Sequence, residues 1–340
     1  MTTSTLNASS EKTGQVLHQA TQQVRSSDAI SVIIPTKNRP HSVLECVDSV
    51  KNQSSQPGEI VVVDGSDEDG LDALLIKNFG AETGIKYVRS EGSLPHKRNL
   101  GVRKSSGDIL LFLDDDIVLT ENFIKEILSV FNNPNLDGIG CVYGDQFRED
   151  EIVDRRGTLR YRIWVGRRTE SFIRELFFLQ KTSKTGKFRL SGFSTYPAKS
   201  NPGTTLCETD GAAGSLMAYY REILYEFKFD ENLEDYAWGE DADLSYRVSR
   251  KYKVIFNPRA KAYHVSKTSK GNNYAYSKMR ITNHHYLFKK NFPQALRNRI
   301  AFNMSVLGVF FLELQNAVVH RDLQGARGFL DGLHTVHKKK

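Results

Sequence analysis

Residues 107–119 read GDILLFLDDDIVL, five apolar side chains in a row followed by three consecutive carboxylates. A continuous apolar run of this length, opened by glycine and closed by charge, is a strand buried on both faces. Aspartate is depleted in strands and adjacent carboxylates repel one another. The triplet Asp114, Asp115 and Asp116 therefore marks the point where the strand leaves its sheet and where something positive is expected. In an extended segment side chains 114 and 116 point one way and 115 the other. One face would then offer two carboxylates to a divalent cation and a diphosphate.

Upstream the same grammar repeats. AISVIIPTKNRP (29–40) holds a buried strand, Ser31–Ile34, ended by Pro35 and a loop. HSVLECVDSVKNQ (41–53) has apolar residues at 43, 44, 47 and 50, a helical spacing. GEIVVVDGSDEDG (58–70) gives a second strand, Ile60–Val63, closing in Asp64 and a glycine-rich turn. LDALLIKNFG is helical with a glycine stop. IKYVRS is a third strand and EGSLPHKRNLGVRKSSG a polar helix before the strand at 108–113. Alternating strands and helices with fully apolar strands predict an α/β fold, a mostly parallel sheet covered on both faces. Ligands of such sheets bind beyond the carboxyl ends of the strands. Three of those ends, PTKNR, DGSD and DDD, carry polar groups and should converge.

The second half is less regular. Residues 154–189 are rich in Arg, Phe and Tyr and read as an insertion with helical stretches such as ESFIRELFFLQK. GAAGSLMAYYREILYEF is a strand or loop running into a helix, WGEDADLSYRVSRK a helix start, YKVIFNP a late strand, and the tail a short helix with loose terminal cations. In WGEDADL, Glu240, Asp241 and Asp243 open a helix whose dipole favours acids, and Asp243 can pair with Arg247 one turn on. That accounts for Asp243 but less well for Glu240 and Asp241 beside Trp238 and Gly239, which suit a general base next to a saccharide platform.

Composition bounds the rest. The chain has 340 residues, 39% hydrophobic and 26% charged, enough for one large soluble domain or two modest ones. Cys46, Cys141 and Cys207 are widely separated, which argues against a disulfide framework or a zinc site and fits a reducing cytoplasm. Residues 1–28 are polar and read as a flexible leader with no apolar signal core. The most apolar helix candidate, Ile300–Val319, is interrupted by Asn303, Glu313, Gln315 and Asn316, and reads as a packed helix or a membrane-surface element. The net charge is +7, and Leu244–Leu312 holds fourteen Lys or Arg and no Asp or Glu. Such a stretch is either a solvated face or a seat for a diphosphate, an anionic membrane or nucleic acid. No nucleic-acid motif accompanies it, so a nucleic-acid partner is not expected. The triplet also fits a phosphatase-like DxD pattern, but it follows the fourth strand rather than the first.

Taken together, SVIIPTKNRP, IVVVDGSDEDG, LPHKRNLGVRKSSGDILLFLDDD, GAAGSLMAYYREIL, FDENLEDYAWGEDADLSYRV and PRAKAYH resemble the motifs of a family 2 glycosyltransferase of the GT-A fold, over about residues 30–265. The resemblance implies an inverting transfer from a nucleoside-diphosphate sugar, assisted by Mg²⁺ or Mn²⁺, to a glycan or lipid-linked acceptor in cell-envelope polysaccharide biosynthesis. It implies nucleotide contacts from Pro35, Thr36, Arg39, Asp64, Arg98, Asn99, Asp114 and Asp115, and metal contacts from Asp114, Asp116 and His264. Asp241 matches the base, with Glu240, Trp238, Gly239 and Gly214 shaping the acceptor side. The expected division is a leader at 1–28, a catalytic domain at 29–265 and a basic helical extension at 266–340. Within the catalytic domain, 29–120 forms the donor half and 121–265 the acceptor half, with an insertion at 154–200. Peripheral contact with the inner membrane face follows from the basic stretch and the apolar helix, and the oligomeric state is open. A nucleotidyltransferase or other sugar-phosphate enzyme on a similar sheet is the alternative, disfavoured because PTKNRP contains no glycine to cradle phosphates.

Overall fold

A computed structural model of the chain describes residues 26–81, 84–148, 174–179, 186–193, 205–233, 236–265 and 273–338. The expected leader, apart from its last three residues, and most of the expected insertion at 154–200 lie outside the described residues, as do the flanks of ESFIRELFFLQK. The first strand, β1 (Ile30–Thr36), is buried along its whole length. It does not stop at Pro35 as the sequence suggests, but runs on to Thr36, in parallel register with Val63 and Asp64 of β2 (Glu59–Asp64). The proline ring suits extended backbone and removes only one donor, close to where the ladder ends.

Strands β3 (Ile85–Arg89) and β4 (Ile109–Leu113) complete the parallel half, and α1 (Pro40–Lys51), α2 (Leu71–Phe79) and α3 (Leu94–Lys104) connect these strands. Next come β5 (Ile117–Leu119), α4 (Phe123–Phe131), β6 (Ile139–Arg148), β7 (Cys207–Thr209), β8 (Leu216–Tyr220), α5 (Arg221–Glu226), α6 (Glu240–Ser249) and β9 (Lys253–His264). The strand order is β3-β2-β1-β4-β8-β6-β9-β5, with β7 on β9. From the pairings, β1, β2, β3, β4, β6 and β9 run one way and β5, β7 and β8 oppose them. The sheet is mostly parallel, helices flank it, and Val, Ile, Leu and Phe of its strands fill the main core.

Three helices, α7 (Asn273–Asn291), α8 (Leu296–His320) and α9 (Gln324–Lys338), form the C-terminal region around a second small core that includes Ile281, Val309, Leu312 and Phe329. The tail is thus a full helix rather than a short one. Helix α9 lies close on α7 because Gly328 and Gly332 carry no Cβ. At Gly328 a Cβ would lie 2.1 Å from the Tyr274 carbonyl, and at Gly332 2.9 Å from that of Lys278.

Candidate active site

The aspartate triplet is where the extended-strand reading needs correction. After Leu113 the chain turns, and Ile117 N–H donates to the Asp114 carbonyl at 3.2 Å. The alternation of 114 and 116 against 115 is therefore lost. Asp114 faces Arg98, whose Nη2 lies 2.8 Å away. Asp115 accepts from Thr36 Oγ1 at 2.6 Å and shares Arg39 Nη1 with Asp116, at 3.2 and 3.0 Å. On its other side Asp116 meets His264 Nε2 at 3.0 Å, because β5 pairs antiparallel with β9 and sets Ile117 opposite His264. Burial would raise the Asp116 pKa, but the His264 imidazole and the Arg39 guanidinium outweigh it and hold the carboxyl low. Asp115 is deeper, and burial pushes it up to about 6 despite Thr36 and Arg39.

Arg98 is the hub. It sits on α3 and is 1% exposed. One guanidinium reaches Asp114, the Gly214 carbonyl (3.0 Å) and, through Nη1, Glu240 Oε1. Its plane also lies 5.5 Å from the Phe229 ring centroid. Gly214 in turn donates its N–H to Asp241 Oδ2 at 2.9 Å, and Ala242 N–H donates to Oδ1 at 2.8 Å. Asp241 stands in the first turn of α6, whose N-cap Gly239 has φ 89°, the left-handed region that favours glycine. One side chain thus ties the end of β4 to the start of α6, Arg98 and Glu240 lying 142 residues apart in the chain. Burial, reinforced by Asp241 and Asp114 and opposed by Arg98, pushes Glu240 up to about 8. Asp243 accepts from Arg247, Lys290 and Asn291, none of which bonds to the triplet.

Of the residues expected to contact a nucleotide, Pro35, Thr36 and Asp64 fall at the ends of β1 and β2 and Asn99 on α3. Asp64 is fully buried, accepting from Ser66 on one oxygen and from Tyr87 (2.9 Å) and Arg89 (3.2 Å) on the other. Asn99 is used structurally: its amide exchanges bonds with both backbone groups of Phe229 and also reaches Glu231. Pro35 is buried within β1. Lys97, which the motif reading passed over, lies buried with Nζ 2.9 Å from the Thr36 carbonyl and close to Gly65. Burial lowers its pKa and Asp115 acts against that. The available signal was α3 itself: a polar helix packed against β1 and β2 has to bury Lys97, Arg98 and Asn99 together.

On the other side, Gly214 is buried, and a Cβ there would meet Asp241 Cβ at 2.9 Å, with Arg98 and Glu240 both at 3.1 Å. Trp238 is half-buried, packed edge-on to Phe193 with Arg280 over its ring at 5.9 Å, and its carbonyl accepts from Asn283 at 3.2 Å. It is held by the C-terminal helices, with its indole partly spent on packing.

Among the described residues no group of three or more His, Cys, Asp or Glu forms a ready cation cage. A divalent cation nevertheless fits the chemistry of the donors present. Asp116 and His264 bring an oxygen and an imidazole nitrogen together, which suits Mn²⁺, and substrate phosphates commonly complete such a shell.

The family model described as "Glycosyl transferase family 2" matches residues 31–224. The chain is 34% identical over 116 residues to an uncharacterized glycosyltransferase of Rickettsia bellii, covering 34% of this chain and 16% of that protein. It is 24% identical over 255 residues to a glucosyl-dolichyl phosphate glucuronosyltransferase of Haloferax volcanii, covering 69% and 68%. In the first relatives matched, this chain spans less than half of their length. Among solved structures it superposes on a mannosyltransferase of Pyrobaculum calidifontis in complex with GDP-Man and Mn²⁺, with a TM-score of 0.51 and 15% identity over 97% of this chain and 96% of that one. That likeness is one of fold.

Proposed function

The chain belongs to glycosyl transferase family 2, and from that premise we propose that it transfers a sugar from a nucleoside-diphosphate sugar to a hydroxyl of a glycan or lipid-linked saccharide, with inversion at the anomeric carbon. The observation that carries the reading is the Arg98 bridge, which joins Asp114 on the donor side to Glu240 and to the Gly214–Asp241 pair on the acceptor side. Residues 29–120 act as the donor half, 121–265 as the acceptor half, and 266–340 as an extension.

Asp241 is the base. Two backbone N–H groups orient its carboxylate at the first turn of α6. It accepts the proton of the acceptor hydroxyl as that oxygen bonds to the anomeric carbon and the bond to the diphosphate oxygen breaks, the electron pair leaving with the diphosphate. Glu240, buried and committed to Arg98 through Oε1, serves to hold that guanidinium. Arg39, with its side chain half-exposed, is free to turn from Asp115 and Asp116 toward phosphate oxygens. Asp116 and His264 would hold Mg²⁺ or Mn²⁺, with Asp114 engaged by Arg98, and the cation would supply positive charge to the departing diphosphate. Free cysteines among the described residues are compatible with work at the inner face of a membrane.

The test is a thermal-shift screen of UDP-, GDP- and dTDP-sugars with and without Mn²⁺, followed by NMR of the product anomer. A donor that stabilises the protein only with the cation, and a product of inverted configuration, support the reading. Retained configuration, or no stabilisation by any nucleotide sugar, would sink it.

A further inference from the structure

Helix α8 is apolar on two opposite sides. Inward, Ala301, Phe302, Val309 and Leu312 are buried. Outward, Leu296, Ile300, Leu307, Phe311, Leu314 and Val318 follow one another at steps of four, seven, four, three and four residues, and each is 38–79% exposed. At about 100° per residue these six fall within roughly 60° of arc, in a stripe ~33 Å long. Exposed apolar surface of that extent, interrupted by Asn303 between Ile300 and Leu307, marks a contact site.

The charges around the stripe identify the contact. Arg297 and Arg299, both exposed, project on either side of it at its first turn, and exposed Arg321 stands at its far end with φ 52°. The stripe itself carries no acid, and Glu313, the one acid on α8, is buried against Ser277 on the opposite side. A second copy packed on this face by two-fold symmetry would bring arginines against arginines. Apolar residues framed by cations instead match a lipid surface with anionic headgroups, the long arginine stems lying along the acyl boundary and their heads among phosphates. The segment Leu296–Val319 is long and apolar enough to cross a membrane. Its inner side, however, is occupied by the second core and by Glu313, which leaves only one face for lipid.

We infer that α8 lies in the plane of an anionic membrane and docks the whole protein there through its outer stripe. The same helical unit holds Trp238 through Asn283 and Arg280, which ties the docked region to the residues beside Asp241. The link to a lipid-linked acceptor rests on the proposed function, whereas the docking itself does not.

The experiment is co-sedimentation of the full chain with phosphatidylcholine vesicles, with and without phosphatidylglycerol, alongside light scattering of the free protein. The wild type is expected to bind the anionic vesicles, more weakly as salt rises. Leu307→Glu combined with Val318→Glu is expected to lose at least about tenfold in binding, with unchanged melting temperature and unchanged transfer to a soluble acceptor. If that variant folds poorly, Arg297→Ser combined with Arg299→Ser reads the same surface, with about thirtyfold weaker binding at low salt. Binding to neither vesicle, equal binding to both, or a dimer that the glutamates convert to monomer without any vesicle binding, would each overturn the inference. Loss of activity with vesicle binding intact would fall on the proposed function instead.

Discussion

Asp241 accepts two backbone N–H groups, and the proposed role as base asks it to move one proton. Asp241→Asn is therefore expected to lower kcat by about 10²–10⁴-fold while leaving donor affinity, read by calorimetry, close to the wild-type value. A matching loss of affinity would give Asp241 a different role. Arg98→Lys should be far from conservative. A lysine cannot span Asp114, Glu240 and the Gly214 carbonyl from one planar group, and an uncompensated buried charge costs about 3–5 kcal/mol, visible in a urea titration. Gly214→Ala pushes a methyl into Asp241, Arg98 and Glu240, and should cut kcat at least about tenfold with little change in the melting temperature of the donor-bound form. At this scale the sequence was legible where chemistry demands unusual letters together, as in DDD and GED. Lys97, Tyr87 and Arg89 were not, because each is an ordinary residue until the fold brings it to Thr36 or Asp64. The turn at 114–117 was hidden for a related reason: strand alternation assumes an extended chain, and the hydrogen bond from Ile117 to Asp114 ends it.

Among the elements, β1 and β2 owe part of their pairing to Glu59, a carboxylate at the start of β2 that accepts from Ser31, Ser106 and Lys86. Burial alone would raise its pKa, but those bonds hold it down to about 2 against an ordinary 4.5. A depressed carboxylate contributes stability above its unfolded value and loses it as pH falls through the folded one. The contribution of Glu59 should thus be complete above about pH 4.5 and vanish toward pH 2. Urea midpoints of wild type and Glu59→Gln, measured along that range, should converge on acidification, and a constant gap would remove Glu59 from the account. The early strands were readable from apolar runs of Val, Ile and Leu, because burial on both faces leaves little choice of residue. Strand β5 was not readable: it has three residues, and only its pairing with β9 gives it meaning. That pairing brings His264 to Asp116, a proximity that linear spacing does not report.

For the molecule as a whole, the sheet and the C-terminal helices are joined by a polar clasp. Lys290 of α7 binds Asp230 (2.6 Å) and the fully buried Asp243 of α6, and Asn291 binds Asp243 as well. Lys290→Met is expected to cost about 1–2 kcal/mol, less than a fully buried pair because Lys290 is partly exposed and Arg247 still faces Asp243. Limited proteolysis should then cut first in the C-terminal helices. Alternation of strands and helices made the α/β architecture legible, whereas the packing of α7, α8 and α9 was not, since it depends on glycines and clasps that look unremarkable in a list of residues. The Arg98 bridge has a practical corollary for anyone recombining this scaffold. Grafting a foreign acceptor-recognition module onto the native amino-terminal portion leaves the guanidinium with Asp114 alone unless the graft also supplies a glycine at 214 and an acid at 240. Chimeras respecting that three-point contract should fold with both functions coupled, and those that break it should bind nucleotide yet turn over nothing.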